Sequence, residues 1–311
     1  MTLRVLFAAP RRLWPEFEGP LNRAFARAGI AADLSPECDD PGAVDYIVYA
    51  PRGTITDFTP FVRTRAVLNL WAGVETIVGN PTLTQPLCRM VDPGLTQGMV
   101  EYVVGNVLRH HLGTDRYIRP AAPHWDVRIP PLASERKVAV LGLGVLGLAA
   151  ARALVRLGFD VTGWARRARR VSGVRTRSGP AGLRATLAGA EIVVTLLPLT
   201  PATENTLDAE ALGLLAQGAF IVNPGRGALI DEGALLAALG SGQVGGATLD
   251  VFRTEPLPPD HPFWADPRIT ITPHIAADTR AETSAEVIAE NIRRDLDGRP
   301  LLHLVDRAAG Y

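Results

Sequence analysis

The chain has 311 residues, 47% of them apolar, and this length favours two hydrophobic cores over one. Its 32 basic and 32 acidic residues cancel, which argues against a nucleic-acid partner, and its two cysteines lack metal spacing and are too few for a disulfide framework. No apolar run is long enough for a membrane span or a signal peptide, so we expect a cytoplasmic protein that binds neither a metal nor a membrane.

Strands and helices are predicted to alternate along the first part of the chain. Strands are expected at 3–9, 44–50 and 66–73, and helices at 18–29 and 96–113. Such alternation is typical of parallel sheets whose strands are joined by crossover helices. The following segment, 119–136, is rich in proline and turn residues and is predicted to be a connector.

A second alternation of strands and helices begins after the connector. It starts with an apolar strand at 137–141 and runs as far as His274, and an amphipathic helix at 281–298 follows. We therefore predict two α/β domains of the Rossmann-like or flavodoxin-like kind, each a doubly wound parallel sheet, with a cleft between them. The first domain is expected to span 1–96 and to be completed by 277–311, and the second to span 97–276.

A glycine-rich turn, "GLGVLG" at 142–147, lies between the strand at 137–141 and a predicted helix. In a dinucleotide site the first glycine permits the tight turn, here Gly142, and the second lets the backbone approach a pyrophosphate, here Gly144. Gly147 would let the helix pack against the strand, and the helix N-terminus would offer free amides to the phosphates. The motif predicts dinucleotide binding, with a merely structural glycine turn as the alternative.

The end of the next predicted strand, 160–165, distinguishes between dinucleotides. NAD sites usually carry Asp or Glu near this position, whereas here the chain reads Trp164, Ala165, Arg166 and Arg167. Guanidinium groups suit a 2′-phosphate in charge and in geometry. We therefore predict that NADP(H) is preferred and that NAD(H) is still possible; a solvated basic loop is the alternative explanation.

Polar side chains follow three predicted strands of the second domain. Arg226 comes after the strand at 219–223, Asp250 and then Glu255 come after another, and His274 follows "RITITP". Because ligands bind beyond the carboxyl ends of strands in open α/β sheets, these side chains should converge at one edge. Each alone reads more simply as a structural residue, but together, behind a dinucleotide motif, they favour an active site.

Hydride transfer to a 2-oxo acid requires this set of groups. Protonated His274 would supply a proton to the carbonyl oxygen, and Glu255 beside its other ring nitrogen would fix the tautomer. Arg226 would hold the carboxylate and carbonyl oxygens. Asp250 would accept a hydrogen bond from the nicotinamide carboxamide, and the apolar pair Leu197-Pro198 would lie against the ring.

The sequence resembles the D-isomer-specific 2-hydroxyacid dehydrogenases. The resemblance rests on "GLGVLG", "LLPLT", "VNPGRGALID", "LDVFRTEPLP" and "TPHIAA", in this order and spacing, and it covers most of 65–311. "NLWAGVETI" and "VDRAAGY" make the glyoxylate/hydroxypyruvate reductase A subgroup the most similar one. Many members have an alanine before the arginine of the third motif, where Gly225 stands here, so backbone freedom differs while the charge is kept.

The resemblance implies that Arg226, Glu255 and His274 are catalytic, with His274 the proton donor. It also implies that backbone amides around Ala72, Gly73 and Val74 bind the substrate carboxylate, a role that a glycine turn after a strand suits. Two aromatic side chains are expected to line the pocket, Tyr49 and Trp71, although aromatics in such positions are more often core residues.

The coenzyme is expected to bind in the second domain and the substrate in the first. The predicted coenzyme site comprises Gly142, Gly144, Val145, Leu146, Gly147, Trp164, Arg166, Arg167, Leu197, Pro198, Asn223, Pro224, Asp250 and Ala276. Members of the family are typically dimers, and Trp125 in the connector is predicted to contact the partner subunit.

The sequence therefore predicts an NADPH-preferring reductase that converts glyoxylate to glycolate and hydroxypyruvate to D-glycerate. Two alternatives remain open at this point. One is a related dehydrogenase acting on phosphoglycerate, phenylpyruvate, formate or phosphite. The other, less favoured because no additional binding module is visible, is a dinucleotide-sensing corepressor that binds partner proteins.

Overall fold

The computed structural model describes residues 2–118, 125 and 127–311. Its strands are β1 (Leu3–Ala8), β2 (Ala32–Ser35), β3 (Tyr46–Tyr49), β4 (Ala66–Asn69), β5 (Leu87–Cys88), β6 (Lys137–Leu141), β7 (Asp160–Ala165), β8 (Arg175–Ser178), β9 (Ile192–Thr195), β10 (Ala219–Asn223), β11 (Val244–Leu249) and β12 (Ile269–Ile271). Its helices are α1 (Trp14–Arg27), α2 (Pro93–Leu112), α3 (Asp115–Ile118), α4 (Val145–Arg156), α5 (Gly179–Leu187), α6 (Ala209–Gly213), α7 (Glu232–Ser241) and α8 (Ala281–Leu296).

The chain divides into two compact units. The first unit ends at Leu95 and is completed by Asp278–Tyr311, and the second is formed by Thr96–Ala277. These limits lie one residue from the domain boundaries expected from the sequence. Each unit has its own parallel sheet and its own core, and the two are described separately below.

The first unit is built on a five-stranded parallel sheet of order β2-β1-β3-β4-β5. This is the flavodoxin-like order. Alternate residues of its strands point to opposite faces. One face packs against α1 and α8, and the other packs against apolar side chains from the long connections, among them Phe58 and Ile77.

The second unit is built on a seven-stranded parallel sheet of order β12-β11-β10-β9-β6-β7-β8. Its first six strands, counted from β6, follow the Rossmann order, and β12 adds a seventh strand beside β11. The order reverses between β6 and β9, which is where dinucleotides bind in such sheets. Both units are thus doubly wound parallel-sheet structures, and the predicted fold class is confirmed.

The helix predicted at 96–113 begins three residues earlier, at Pro93. The reason is its N-terminal cap. Oδ1 of Asp92 accepts hydrogen bonds from the amides of Gly94 (2.8 Å) and Leu95 (3.1 Å), and proline is favoured at the first helical position. The hydrophobic pattern marks the helix interior well but does not register such a cap.

Among the residues described, no helix combines the length and the apolar character needed to cross a membrane. The same residues contain no group of three or more His, Cys, Asp or Glu side chains that could hold a metal ion.

Candidate active site

His274 lies immediately beyond β12 in a turn with an unusual backbone. Its φ angle is 55°, in the left-handed region that non-glycine residues rarely adopt. Its amide donates to the main-chain oxygens of Asp250 (2.8 Å) and Thr272 (3.0 Å). These hydrogen bonds connect the turn to the end of β11 and stabilise a backbone conformation that is unfavourable for a non-glycine residue.

The carboxylate of Asp250 holds the same turn. Asp250 is 1% exposed, and its Oδ1 accepts from Oγ1 of Thr272 (2.5 Å) and from the amide of Ile275 (2.9 Å). Its Oδ2 accepts from the amide of Ala276 (2.8 Å). Both oxygens are therefore engaged in shaping the loop that carries His274, a task that the sequence did not predict. A contact between Asp250 and the nicotinamide carboxamide remains a prediction.

The imidazole of His274 is paired with Glu255. Nδ1 of His274 lies 2.7 Å from Oε2 of Glu255, whose other oxygen accepts from the amide of Phe252 (2.9 Å). The hydrogen bond to Glu255 raises the pKa of His274 despite partial burial. Burial alone would raise the pKa of Glu255, but the donors His274 and Phe252 outweigh it and the pKa is lowered. The pair thus favours an imidazolium beside a carboxylate, and it leaves Nε2 as the ring nitrogen that Glu255 does not engage.

Arg226 lies in a turn beyond β10 that Asn223 stabilises. Nδ2 of the buried Asn223 donates to the main-chain oxygen of Arg226 (2.9 Å), and its Oδ1 accepts from the amide of Gly225 (3.1 Å) and from Oγ1 of Thr195 (2.6 Å). Asn223 and Pro224 were predicted to contact the coenzyme, and the structure shows Asn223 bonded within the protein. Its side chain fixes the position from which Arg226 extends.

A glycine brings the Arg226 turn against the loop after β11. A Cβ added to Gly227 would lie 2.0 Å from the carbonyl carbon of Phe252, so only glycine permits this approach. The charge of Arg226 acts on both neighbours, lowering the pKa of Glu255 and opposing protonation of His274. The three predicted catalytic residues are therefore brought together at the carboxyl ends of β10, β11 and β12.

The glycine-rich turn has the packing that the motif predicts. Gly142 has a φ of 100°, and a Cβ there would lie 2.4 Å from the main-chain oxygen of Leu196. A Cβ on Gly147 would lie 1.8 Å from the main-chain oxygen of Gly142. A Cβ on Gly144 would meet no atom within 4 Å among the residues described. Two glycines are thus required by the fold, and the third keeps space open.

This open space lies at a helix N-terminus, where phosphate groups bind. Helix α4 begins at Val145 with Gly144 as its N-cap, so the amides of Val145, Leu146 and Gly147 lie in the first turn, where amides have no intrahelical partner. Such amides and the positive end of the helix dipole bind phosphate. The residues present are therefore suited to hold a dinucleotide at the switch point of the sheet.

The basic segment after β7 contains a residue that the sequence prediction missed. Trp164 is half-buried and donates to the main-chain oxygen of Gly179 (2.9 Å), while Arg166 and Arg167 are exposed. Arg169 donates to the main-chain oxygen of Leu143, inside the glycine-rich turn. The signal was available, because Arg169 belongs to the same "ARRARR" run. Its guanidinium is a further positive charge at the phosphate end of the site.

Several other predicted coenzyme contacts lie partly within the core. Leu197 is buried in the cluster that includes Leu207 and Leu229, whereas Pro198 is half-buried. Ala276 is buried against the other face of the sheet. Leu197 therefore packs in the core beneath the sheet edge. Pro198 is the more accessible residue of the pair that was predicted to contact the nicotinamide ring.

The substrate-binding residues predicted in the first unit lie on β3 and in the loop after β4. Tyr49 is buried, its ring centroid lies 5.7 Å from that of Phe58, and burial raises its pKa. Trp71 is half-buried against the α1 and α8 side of the core. Both aromatics thus have packing roles. Ala72 and Gly73 are partly exposed and Val74 is buried.

The comparisons with known proteins agree with this geometry. Residues 104–276 match the family model described as D-isomer specific 2-hydroxyacid dehydrogenase, NAD binding domain. The chain belongs to this family.

The similar proteins include two that are named glyoxylate/hydroxypyruvate reductases. Glyoxylate/hydroxypyruvate reductase A of Yersinia enterocolitica is 39% identical over 258 residues, which cover 80% of this chain and 82% of that protein. A D-isomer specific 2-hydroxyacid dehydrogenase from Xanthobacter autotrophicus, crystallised with NADPH and MES, is 38% identical with a TM-score of 0.89, covering 99% of each chain. An NADPH-dependent glyoxylate/hydroxypyruvate reductase from Sinorhizobium meliloti, crystallised with NADP and sulfate, is 34% identical with a TM-score of 0.89 and covers 99% of this chain and 100% of that one.

Proposed function

We propose that the protein is an NADPH-preferring reductase of small 2-oxo acids that converts glyoxylate to glycolate and hydroxypyruvate to D-glycerate. The observation that carries the proposal is the bond of 2.7 Å between His274 and Glu255, at the same sheet edge as Arg226. The relatives support the substrate class, because one 39% identical protein is a glyoxylate/hydroxypyruvate reductase A and a solved neighbour is an NADPH-dependent enzyme of that name.

When bound, the reduced nicotinamide supplies the hydride that adds to C2 of the 2-oxo acid. Protonated His274 donates its Nε2 proton to the carbonyl oxygen as negative charge develops there, and the product is the 2-hydroxy acid. Glu255 keeps its hydrogen bond to Nδ1 throughout and stabilises the imidazolium before the transfer. The neutral imidazole then regains a proton from water.

Arg226 binds and orients the substrate in this proposal. Its planar guanidinium carries several N–H donors in a fixed geometry, which suits a carboxylate and an adjacent carbonyl oxygen. Its positive charge also favours the alkoxide-like oxygen of the transition state. The same charge lowers the pKa of Glu255, which keeps that carboxylate ionised as the partner of His274.

The coenzyme preference rests on the basic segment after β7. Arg166 and Arg167 are exposed there, and Arg169 reaches the glycine-rich turn. The solved neighbours from Xanthobacter and Sinorhizobium were crystallised with NADPH and NADP respectively. A 2′-phosphate would thus meet guanidinium groups where an NAD site would present a carboxylate.

A cytoplasmic homodimer is part of the proposal. The connector exposes a run of apolar side chains, with Trp125 92%, Val127 71%, Ile129 89% and Leu132 70% exposed. Large apolar side chains so concentrated on one segment are typical of surfaces that a partner covers. A second copy of this chain is the partner we propose for this segment.

A substrate panel tests the proposed activity. NADPH oxidation would be followed with glyoxylate, hydroxypyruvate, pyruvate, phenylpyruvate and phosphohydroxypyruvate at several concentrations. We expect the highest kcat/KM with glyoxylate or hydroxypyruvate. A clear preference for phenylpyruvate or for the phosphorylated acid would replace the proposed substrates, and no turnover of any 2-oxo acid would contradict the reductase itself.

A further inference from the structure

Asn69 is a buried polar residue beneath the loop that is proposed to bind the substrate carboxylate. It is the last residue of β4 and is 1% exposed. Its Nδ2 donates to two carbonyl oxygens of that loop, those of Trp71 (2.8 Å) and Gly73 (2.9 Å). The opposite amide orientation would set Oδ1 against the same two carbonyls, so the polarity of the contacts fixes the side chain.

The two hydrogen bonds determine which way the loop amides point. In a trans peptide the carbonyl and the following N–H point in opposite directions. When the carbonyl of Trp71 is drawn inward to Asn69, the amide of Ala72 must face away from it. The carbonyl of Gly73 is held in the same way, so the amide of Val74 must also face away from Asn69. The peptide between Ala72 and Gly73 is therefore held at both ends.

The carbonyls on the inner side of the loop accept hydrogen bonds, whereas the amides on its outer side donate none among the residues described. The carbonyl of Trp71 also accepts from the amide of Met90 (3.0 Å), and the carbonyl of Leu70 accepts from Oγ1 of Thr279 (2.6 Å). In the part of the chain that the structure describes, the amides of Ala72, Gly73 and Val74 donate to no acceptor. Successive main-chain amides in a turn can bind an anion.

We infer that Asn69 is a positioning residue that presents the amides of the Ala72–Val74 loop, those of Ala72 and Val74 foremost, to the substrate carboxylate. The inference rests on the proposed function. The chemistry is specific to asparagine, because one nitrogen with two N–H groups must reach two carbonyls from a strand end. Aspartate would place acceptors against both carbonyls, and leucine would fill the space without bonding either.

A second feature of Asn69 agrees with this assignment. Its Oδ1 is buried and has no hydrogen-bond partner among the residues described. A buried unpaired acceptor is destabilising, and stability alone would select a residue without it. The asparagine is instead explained by its Nδ2, whose two hydrogen bonds hold the loop in place.

The test compares Asn69→Asp and Asn69→Ser with Thr279→Val. Thr279→Val removes a buried hydrogen bond to the same segment, at Leu70, but leaves the carbonyls of Trp71 and Gly73 held by Asn69. KM and kcat for glyoxylate, KM for NADPH, binding of oxamate in the presence of NADPH, and Tm would be measured for each. Asn69→Ser retains one hydrogen-bond donor, and it replaces Asn69→Asp in the test if that variant does not fold.

We expect Asn69→Asp to raise KM for glyoxylate and Kd for oxamate by about tenfold or more, because hydrogen bonds from the loop amides to the charged substrate carboxylate are lost. KM for NADPH should stay within about twofold, and Asn69→Ser should give a smaller rise in the same constants. An unchanged KM for glyoxylate in both Asn69 variants, or an equal rise in Thr279→Val, would overturn the inference. Absence of wild-type turnover would instead count against the proposed function alone.

Discussion

The pairing of His274 with Glu255 sets the pH range in which the imidazole carries a proton. Because the pKa of His274 is raised, a proton donor is available at higher pH than for an ordinary histidine. Reduction should therefore proceed below that raised pKa and decline as pH increases through it. The lowered pKa of Glu255 keeps the carboxylate charged over the same range.

Glu255→Gln tests this coupling. The amide cannot stabilise the imidazolium as a carboxylate does, so the pKa of His274 should fall. The decline of kcat/KM for glyoxylate at high pH should then begin at a lower pH than in the wild type. Glu204→Gln is the matched control, because Glu204 pairs with Arg253 (3.1 Å) and not with the catalytic residues. Identical pH profiles for Glu255→Gln and the wild type would show that the pair does not control the proton.

The pKa shifts of His274 and Glu255 also make the stability of the fold depend on pH. The raised pKa of His274 contributes stability that is present below its unfolded value and lost as pH rises through the folded value. The lowered pKa of Glu255 contributes stability that is present above its unfolded value and lost as pH falls through the folded one. The pair therefore stabilises the fold most between the two pKa values.

For individual residues, the sequence predicts which side chains belong to the site better than it predicts their hydrogen-bond partners. Arg226, Glu255 and His274 could be selected because each follows a recognisable strand, and the structure brings them together. The carboxylate of Asp250 and the amide of Asn69 act through main-chain groups in turns. Their partners depend on backbone directions that no side-chain pattern encodes.

Within the glycine-rich turn, one glycine is required by packing and another leaves space for a ligand. Gly147 has no room for a Cβ, whereas Gly144 has open space and a φ of −64° that alanine adopts freely. The two positions therefore form a matched pair of glycine-to-alanine substitutions within one turn.

Gly147→Ala should lower Tm by about 5 °C or more, because the Cβ would overlap the main-chain oxygen of Gly142. Gly144→Ala should change Tm by less than about 2 °C but raise Kd for NADPH by about tenfold, because its methyl group occupies the pyrophosphate space. Differential scanning calorimetry and fluorescence titration measure the two effects. Unaltered NADPH affinity in a folded Gly144→Ala variant would place the dinucleotide elsewhere.

The segment after β7 is expected to select the coenzyme. The double variant Arg166→Ala/Arg167→Ala should lower kcat/KM for NADPH by about tenfold or more while leaving that for NADH nearly constant, because only NADPH carries the 2′-phosphate. Arg152→Ala, an exposed arginine of α4, is the control for loss of one surface charge. Equal losses with both coenzymes would remove the argument for NADPH selection.

Regular elements were the easiest part of the structure to predict. The strands predicted at 137–141, 160–165 and 219–223 have those limits in the structure, because each is a short run of strand-forming residues bounded by turn signals. The strand predicted at 66–73 ends at Asn69 instead, since the carbonyls that follow bend inward to the Asn69 amide. Local chemistry of this kind shortens an element whose apolar pattern continues.

For the whole molecule, strand order was predictable in kind but not in detail. Alternation predicted two doubly wound parallel sheets, and both are present. The flavodoxin-like order of the first and the seventh strand of the second follow from crossover choices that depend on packing between distant segments. The return of the C-terminal segment was expected from the sequence, and Asp278–Tyr311 belongs to the first unit, where α8 packs beside α1.

The exposed connector leads to a prediction about assembly. Light scattering should give a mass of about twice the 33.3 kDa of one chain. Ile129→Asp should shift the protein toward the monomer, because a charge would be buried in the proposed apolar contact. Val62→Asp is the control, since Val62 is also exposed but belongs to the first unit and not to the connector. A monomeric wild type would refute the proposed homodimer.

The account depends most on His274 as the proton donor, and single-turnover oxidation of bound NADPH by His274→Gln measures this directly. Glutamine keeps a polar side chain of similar size but has no proton to transfer near neutral pH. We predict that NADPH binds as in the wild type while its oxidation by saturating glyoxylate slows by about 10²–10⁴-fold. Oxidation at a rate close to that of the wild type would contradict the mechanism, however well the side chains are placed.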